Sequence, residues 1–102
     1  MEKVNICQGQ LVGPFTANQN LMSLINKQCV STPKYLKHIG IQTEETDINN
    51  PDTLVELKVN DKLFTIAVGK TGIYEIGDAE VTLIRFLNDR DNNTIVDYIA
   101  VL

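Results

Sequence analysis

The chain predicts an all-β fold, a small antiparallel β-sandwich or partly open barrel with at most one short helix in its N-terminal segment. Three observations carry this. Thr53 to Val68 reads as a β-hairpin whose two arms agree on one buried face. Strand-sized segments follow one another between turn signals at short intervals, and the crossover helices of a parallel sheet are missing. The 102 residues, 43% hydrophobic and 22% charged, suit one globular domain with one core. Residues 1–34 read as an N-terminal strand or arm with a short helix, and 35–102 as the β core of the same domain.

Taken in order, Val4 to Cys7 reads as a short strand, with Gly9 and Gly13-Pro14 as breakers around Leu11-Val12. Phe15 to Cys29 is the one helical candidate. Thr16 with Gln19 fits a capping box, Leu21, Met22, Leu24 and Ile25 cluster on one side, and Lys27 closes the last turn. Asn18, Gln19, Asn20 and Asn26 weaken its helical propensity, so an extended arm over residues 16–29 stays open as the alternative. Tyr35 to Gln42 resumes an alternating pattern, and Thr43 to Asp52 is a polar, acidic loop.

In the hairpin, a two-residue Asn60-Asp61 loop pairs Val59 with Lys62, Leu57 with Phe64 and Val55 with Ile66 on one face. Lys58 with Leu63, Glu56 with Thr65 and Leu54 with Ala67 fall on the other. Asn and Asp tolerate the positive φ of a type I′ turn. Burying the apolar face yields about 1.5–3 kcal/mol per large side chain. Ordering the backbone costs about 1–2 kcal/mol per residue, so the hairpin needs further strands or a second layer over it. Beyond it, Gly69 to Gly72 reads as a turn, Ile73 to Ile76 as a short strand and Gly77-Asp78 as another turn. Val81 to Leu87 and Thr94 to Leu102 are the last two strands, joined by the polar loop Asn88 to Asn93. Both are apolar on both faces, which places them between layers or against another chain.

Chemistry-bearing motifs are weak. Gly69-Lys70-Thr71 lacks the first Gly of a phosphate loop, since position 64 is Phe. Asp89-Arg90-Asp91-Asn92-Asn93 has the early spacing of a calcium loop without its Gly or final acid, where Ala100 stands, and Asp47, Asn49 and Asp52 are looser still. His38, Ser23, Ser31, Cys7 and Cys29 form no nucleophile–base spacing. We expect no catalytic, cofactor-binding or metal-ligating residues, and no enzyme. Cys7 and Cys29 read as buried free thiols, with a disulfide as the alternative. Tyr35 and Tyr74 are the aromatic residues best placed for a glycan.

Net charge is −4, divided as +3 over residues 1–40 and −7 over 41–102. An acidic body argues against nucleic acid as partner. No apolar run approaches a membrane span, and the N-terminus lacks the layout of a secretory signal, so a soluble protein made in the cytoplasm is expected.

From His38 onward, three blocks resemble small structural proteins of tailed phages and prophages of low-GC Gram-positive bacteria. They are His-Ile-Gly-Ile-Gln at 38–42, the run from Leu57 through Gly69-Lys70-Thr71-Gly72-Ile73-Tyr74-Glu75-Ile76, and Thr82-Leu83-Ile84-Arg85-Phe86 with Ile95-Val96-Asp97-Tyr98. Such proteins often carry a Pro-Gly turn where this chain has the acidic stretch Glu44 to Asp52. The resemblance implies a non-enzymatic building block of a virion or phage-like particle. Its place would be tail, baseplate or capsid decoration, with residence in the host cytoplasm during assembly and then in the virion. Partners would be further copies and other virion proteins. Phe15, Leu21, Met22, Ile84, Phe86 and Tyr98 are then the interface candidates. The alternative function is a host-surface glycan-binding module on the same particle, using Tyr35 or Tyr74.

Overall fold

The computed structural model of the chain describes residues 5–44 and 52–102. Its elements are β1 (Ile6–Val12), α1 (Leu21–Cys29), β2 (Tyr35–Glu44), β3 (Thr53–Val59), β4 (Lys62–Gly69), β5 (Thr71–Phe86) and β6 (Ile95–Val101). The strands form one sheet in the order β1-β6-β2-β5-β3-β4, with every neighbouring pair antiparallel. The expected small antiparallel all-β architecture is present, and its two layers are halves of a single sheet.

The corner between them is β5. Its first half, Thr71 to Gly77, pairs with Glu44 to His38 of β2, and its second half, Val81 to Phe86, pairs with Val59 to Val55 of β3. Gly77-Asp78 was expected to end a strand, but the strand runs through it. Asp78 takes a left-handed φ of 53° there, and the residues that permit a chain reversal also permit a strand to bend and change partner. The bend brings Tyr74 and Ile76 of the first half opposite Leu57, Val59, Phe64 and Ile66 of the hairpin.

The hairpin has the expected register at every pair from Leu54↔Ala67 to Val59↔Lys62. Asn60 and Asp61 have φ of 50° and 66°, the type I′ values that match the right-handed twist of the arms. A register shift between Thr53 and Leu54 marks a bulge near its open end.

The N-terminal segment is part of the core rather than an appended arm. β1 extends to Val12, past Gly9, because Gly9 lies opposite Tyr98 on β6. A Cβ there would lie 2.5 Å from the Tyr98 hydroxyl oxygen, so this glycine is a point of close approach instead of the expected breaker. The helix exists, but begins at Leu21. Asn20 caps it, its side-chain oxygen accepting from the Met22 N–H at 3.0 Å. The Gln19 side chain accepts from the Thr16 N–H as a capping box requires, but the Gln19 N–H donates to the Thr16 carbonyl rather than its hydroxyl, and the pair closes a turn ahead of the helix.

Cys7 and Cys29 form a disulfide with Cα atoms 5.7 Å apart, correcting the expectation of free thiols. Sequence separation hid what register supplies: Cys7 lies on the same edge strand that α1 packs against. Closing a loop of 22 residues is worth about 3 kcal/mol through the unfolded chain's lost entropy.

One core cluster joins all these parts, including Leu11, Phe15, Leu21, Ile25, Leu36, Ile39, Ile41, Val55, Leu57, Val81, Ile84, Phe86, Val96 and Tyr98. Loop 88–94, read in sequence as a solvated connection, clamps residues 13–18 onto it. Phe15 and Arg90 exchange backbone hydrogen bonds at 2.8 and 2.9 Å, and the Asp89 carboxylate accepts from Ala17 N–H at 2.7 Å.

The helix ends on Val30, 90% exposed and held at φ 53°. A β-branched residue is strained in this left-handed C-cap region, where glycine is favoured. Val30→Gly is therefore expected to raise stability by about 1 kcal/mol, read as a higher urea midpoint at unchanged slope.

Candidate functional site

The interface candidates lie inside the protein's own core. Phe15, Leu21, Ile84, Phe86 and Tyr98 are all buried within the single chain, and Met22 is half-buried against the same cluster. Phe15 stacks on Phe86 at a centroid separation of 5.2 Å. The sequence pattern of two apolar faces on the last strands left cover by the chain's own layers or by another chain as the two options. In the fold, one face carries Val81, Ile84, Phe86, Val96, Tyr98 and Ala100 into the core, and the other, with Leu83, Ile95 and Ile99, is only half-covered. Segment 13–20 and α1 supply the cover on the core face, so the chain's own layers serve there.

Exposed apolar side chains lie elsewhere, on β1 (Ile6, Val12), at the helix end (Val30), and on the hairpin and the first half of β5. Leu63 is 60% exposed, Phe64 48% and Ile73 72%. Leu57, Val59, Phe64, Ile66, Tyr74 and Ile76 line a groove of about 190 Å³ where the two halves of the sheet diverge beyond the Gly69–Thr71 turn. β4 is the last strand of the sheet, so its outer edge borders this groove with no described neighbour. Sequence reasoning placed Phe64 and Ile66 on the hairpin's buried face. The available signal was that this face needs a covering layer, and α1 covers the opposite end of the sheet instead.

The two tyrosines set aside for a glycan do not come together. Tyr74 is half-buried in the apolar groove. Tyr35, also half-buried, borders a separate open depression of about 510 Å³ with Lys37, Asn60, Asp78, Ala79 and Glu80. His38 sits at the register shift of β2 with its Nδ1 over Gly77, and the Ser23 hydroxyl donates to the Asn20 carbonyl at 2.8 Å. Among the described residues, no group of three His, Cys, Asp or Glu side chains could hold a metal ion. Asp47 and Asn49, with most of the acidic stretch they belong to, lie outside the described residues. Among the described residues no helix is long and apolar enough to cross a membrane.

A polar cluster joins α1 to the sheet beside the disulfide. The buried Tyr98 hydroxyl donates to the Gln28 side-chain oxygen, whose amide nitrogen donates to the Gln10 carbonyl at 3.1 Å. The Cys29 sulfur lies 3.9 Å from the same hydroxyl. Burial pushes the Tyr98 phenol above its ordinary pKa. The cluster reads as a structural tie, since each polar atom is engaged with a neighbour of its own.

No protein-family model, no curated protein and no solved structure matches the chain.

Three expectations follow from these placements. Phe86→Ala should cost about 3–5 kcal/mol by opening a cavity under Phe15. Phe64→Ser should stay within about 1 kcal/mol of the parent and lower the fluorescence of a dye that reports exposed apolar surface. Urea denaturation and dye titration check the pair.

The third concerns Tyr98. A group kept protonated by burial contributes stability that is complete below its unfolded pKa and lost as pH rises through the folded value. Tyr98→Phe should cost about 1 kcal/mol near pH 8. It should also flatten the loss of stability above about pH 10, measured as urea midpoints across that range.

Proposed function

We propose that this protein is a non-enzymatic structural component of a tailed-phage virion or phage-like particle, assembling through the β3–β4 hairpin rather than through the residues first singled out. The observation that carries this reading is the open edge: a terminal strand with exposed Leu63 and Phe64 beside an apolar groove. Phe64 is half-exposed on the groove face and Leu63 exposed on the opposite face, so this edge leaves apolar side chains open on both sides, and exposed apolar surface marks a contact surface. The resemblance of the block Gly69 to Ile76 to phage structural proteins supports the particle assignment, and this block forms the turn and strand that flank the groove. A disulfide suits a protein that works outside the reducing cytoplasm, as a virion component does after release.

A second reading, recognition of a host-surface glycan, draws on Tyr35. An aromatic ring beside Lys37, Asn60, Asp78 and Glu80 in an open depression has the mixture of flat apolar face and hydrogen-bonding groups that sugars need.

Purification of particles from a producing strain separates the two. The structural reading expects this chain in intact particles or their subcomplexes at fixed stoichiometry, and in reduced amount when Phe64→Asp replaces the parent. Absence from particles would contradict it. Glycan-array binding that disappears with Tyr35→Ala, in a protein whose particle content is unaffected by Phe64→Asp, would favour the second reading instead.

A further inference from the structure

We infer that the outer edge of β4 pairs with β4 of a second copy, antiparallel about a two-fold axis at Thr65, joining two sheets into one. The inference deepens the assembly reading by naming the first partner of the hairpin edge.

Backbone direction fixes which groups are on offer. The Leu87 N–H donates to the Leu54 carbonyl and the Asn60 N–H to the Glu80 carbonyl, both at 2.9 Å. Even-numbered residues of β3 therefore bond toward β5, and Val55, Leu57 and Val59 bond toward β4. Their partners Ile66, Phe64 and Lys62 are the β4 residues that turn their peptide groups inward. Leu63, Thr65 and Ala67 consequently direct N–H and C=O out of the sheet, where no described strand meets them.

The occupant of such an edge is an extended segment, because only a strand satisfies alternating donors and acceptors. Edges that must stay single carry charges, Pro or a bulge along their length. Between Lys62 and Gly69, β4 reads Leu-Phe-Thr-Ile-Ala-Val, with neither charge nor Pro, and its bulge lies only at the Gly69 end.

The sequence of this edge is complementary to itself. With the axis at Thr65, Leu63 faces Ala67 of the second copy and Thr65 faces its equivalent. Each of these is an outward-directed pair that exchanges two hydrogen bonds. On the groove face, Phe64 meets Ile66 of the second copy twice, an aromatic–β-branched pairing of the kind that stabilises antiparallel neighbours. The charges agree with the same register. The two Lys62 side chains lie at opposite ends of the contact, so like charges do not meet across it. Phe64 and Ile66 of both copies then line a continuous apolar strip over the two grooves.

The contact is one strand wide, small beside the roughly 1,200–2,000 Å² of stable interfaces, so association should depend on concentration. Light scattering on the full chain after size exclusion should show a rise from 11.4 kDa toward twice that mass as concentration increases from about micromolar to about millimolar.

Thr65→Pro removes an outward N–H without touching the bonds to β3, and a proline is tolerated on an edge where that N–H is unpaired. It should weaken association at least about tenfold with an unchanged circular dichroism spectrum. Thr65→Lys places like charges across the axis and should do the same, so a misfolded proline variant does not remove the test. A chain that stays at 11.4 kDa throughout, or a dimer indifferent to both folded variants, would overturn the inference. So would a dimer broken by Ile73→Asp but not by Thr65→Lys, since that locates the contact on β5. Absence from particles would defeat the virion reading while leaving a Thr65-dependent dimer in place, so the two failures are distinguishable.

Discussion

The structure depends on how far one short helix can reach. A bent sheet of six strands has an apolar concave side at both ends, and the described residues supply one nine-residue helix with the preceding segment 13–20 to finish the covering. That material is fastened at one end of the sheet. The disulfide ties Cys29 to β1, Gln28 accepts the buried Tyr98 hydroxyl, and loop 88–94 holds Phe15 and Ala17 in place. Tying α1 there closes the core around Leu21, Ile25, Phe86 and Tyr98. It also leaves the other end, between β4 and the first half of β5, without a lid among the described residues.

The corner in β5 makes both outcomes possible. By serving β2 with one half and β3 with the other, a single strand carries the hairpin across to face Tyr74 and Ile76. Closure into a barrel would require β4 to bond β5 directly. The two strands separate after the Gly69–Thr71 turn, so among the described residues the edge of β4 is left without a neighbour. A buried edge would make the hairpin a wall of the core; an open one makes it a surface with unmet backbone bonds and exposed Leu63 and Phe64.

The hairpin was legible in the sequence because its information is local: alternation fixes the face, and Asn60-Asp61 fixes the turn and so the register. Features that depend on contacts between distant segments were not. Gly77-Asp78 has the composition of a turn, and only the presence of two partner strands makes it a corner. Cys7 and Cys29 become neighbours through the pairing of β1 with β6 and the docking of α1, neither of which their spacing encodes. Ile84, Phe86 and Tyr98 were assigned to an interface because a doubly apolar strand needs cover on both sides. Composition does not say whether the cover is the chain's own, and here α1 and Phe15 provide it. Phe64 illustrates the converse, an inward-facing position of a good hairpin that no other described segment covers.

Residue-resolved amide hydrogen exchange at high dilution tests this uneven covering most directly. Interior strands β2 and β6 should exchange slowly along their whole length, while β4 should alternate, with Lys62, Phe64 and Ile66 protected and Leu63, Thr65 and Ala67 exchanging like open peptide. Uniform protection along β4 in the isolated chain would contradict the account, because it would mean that the edge and its groove are already closed from within.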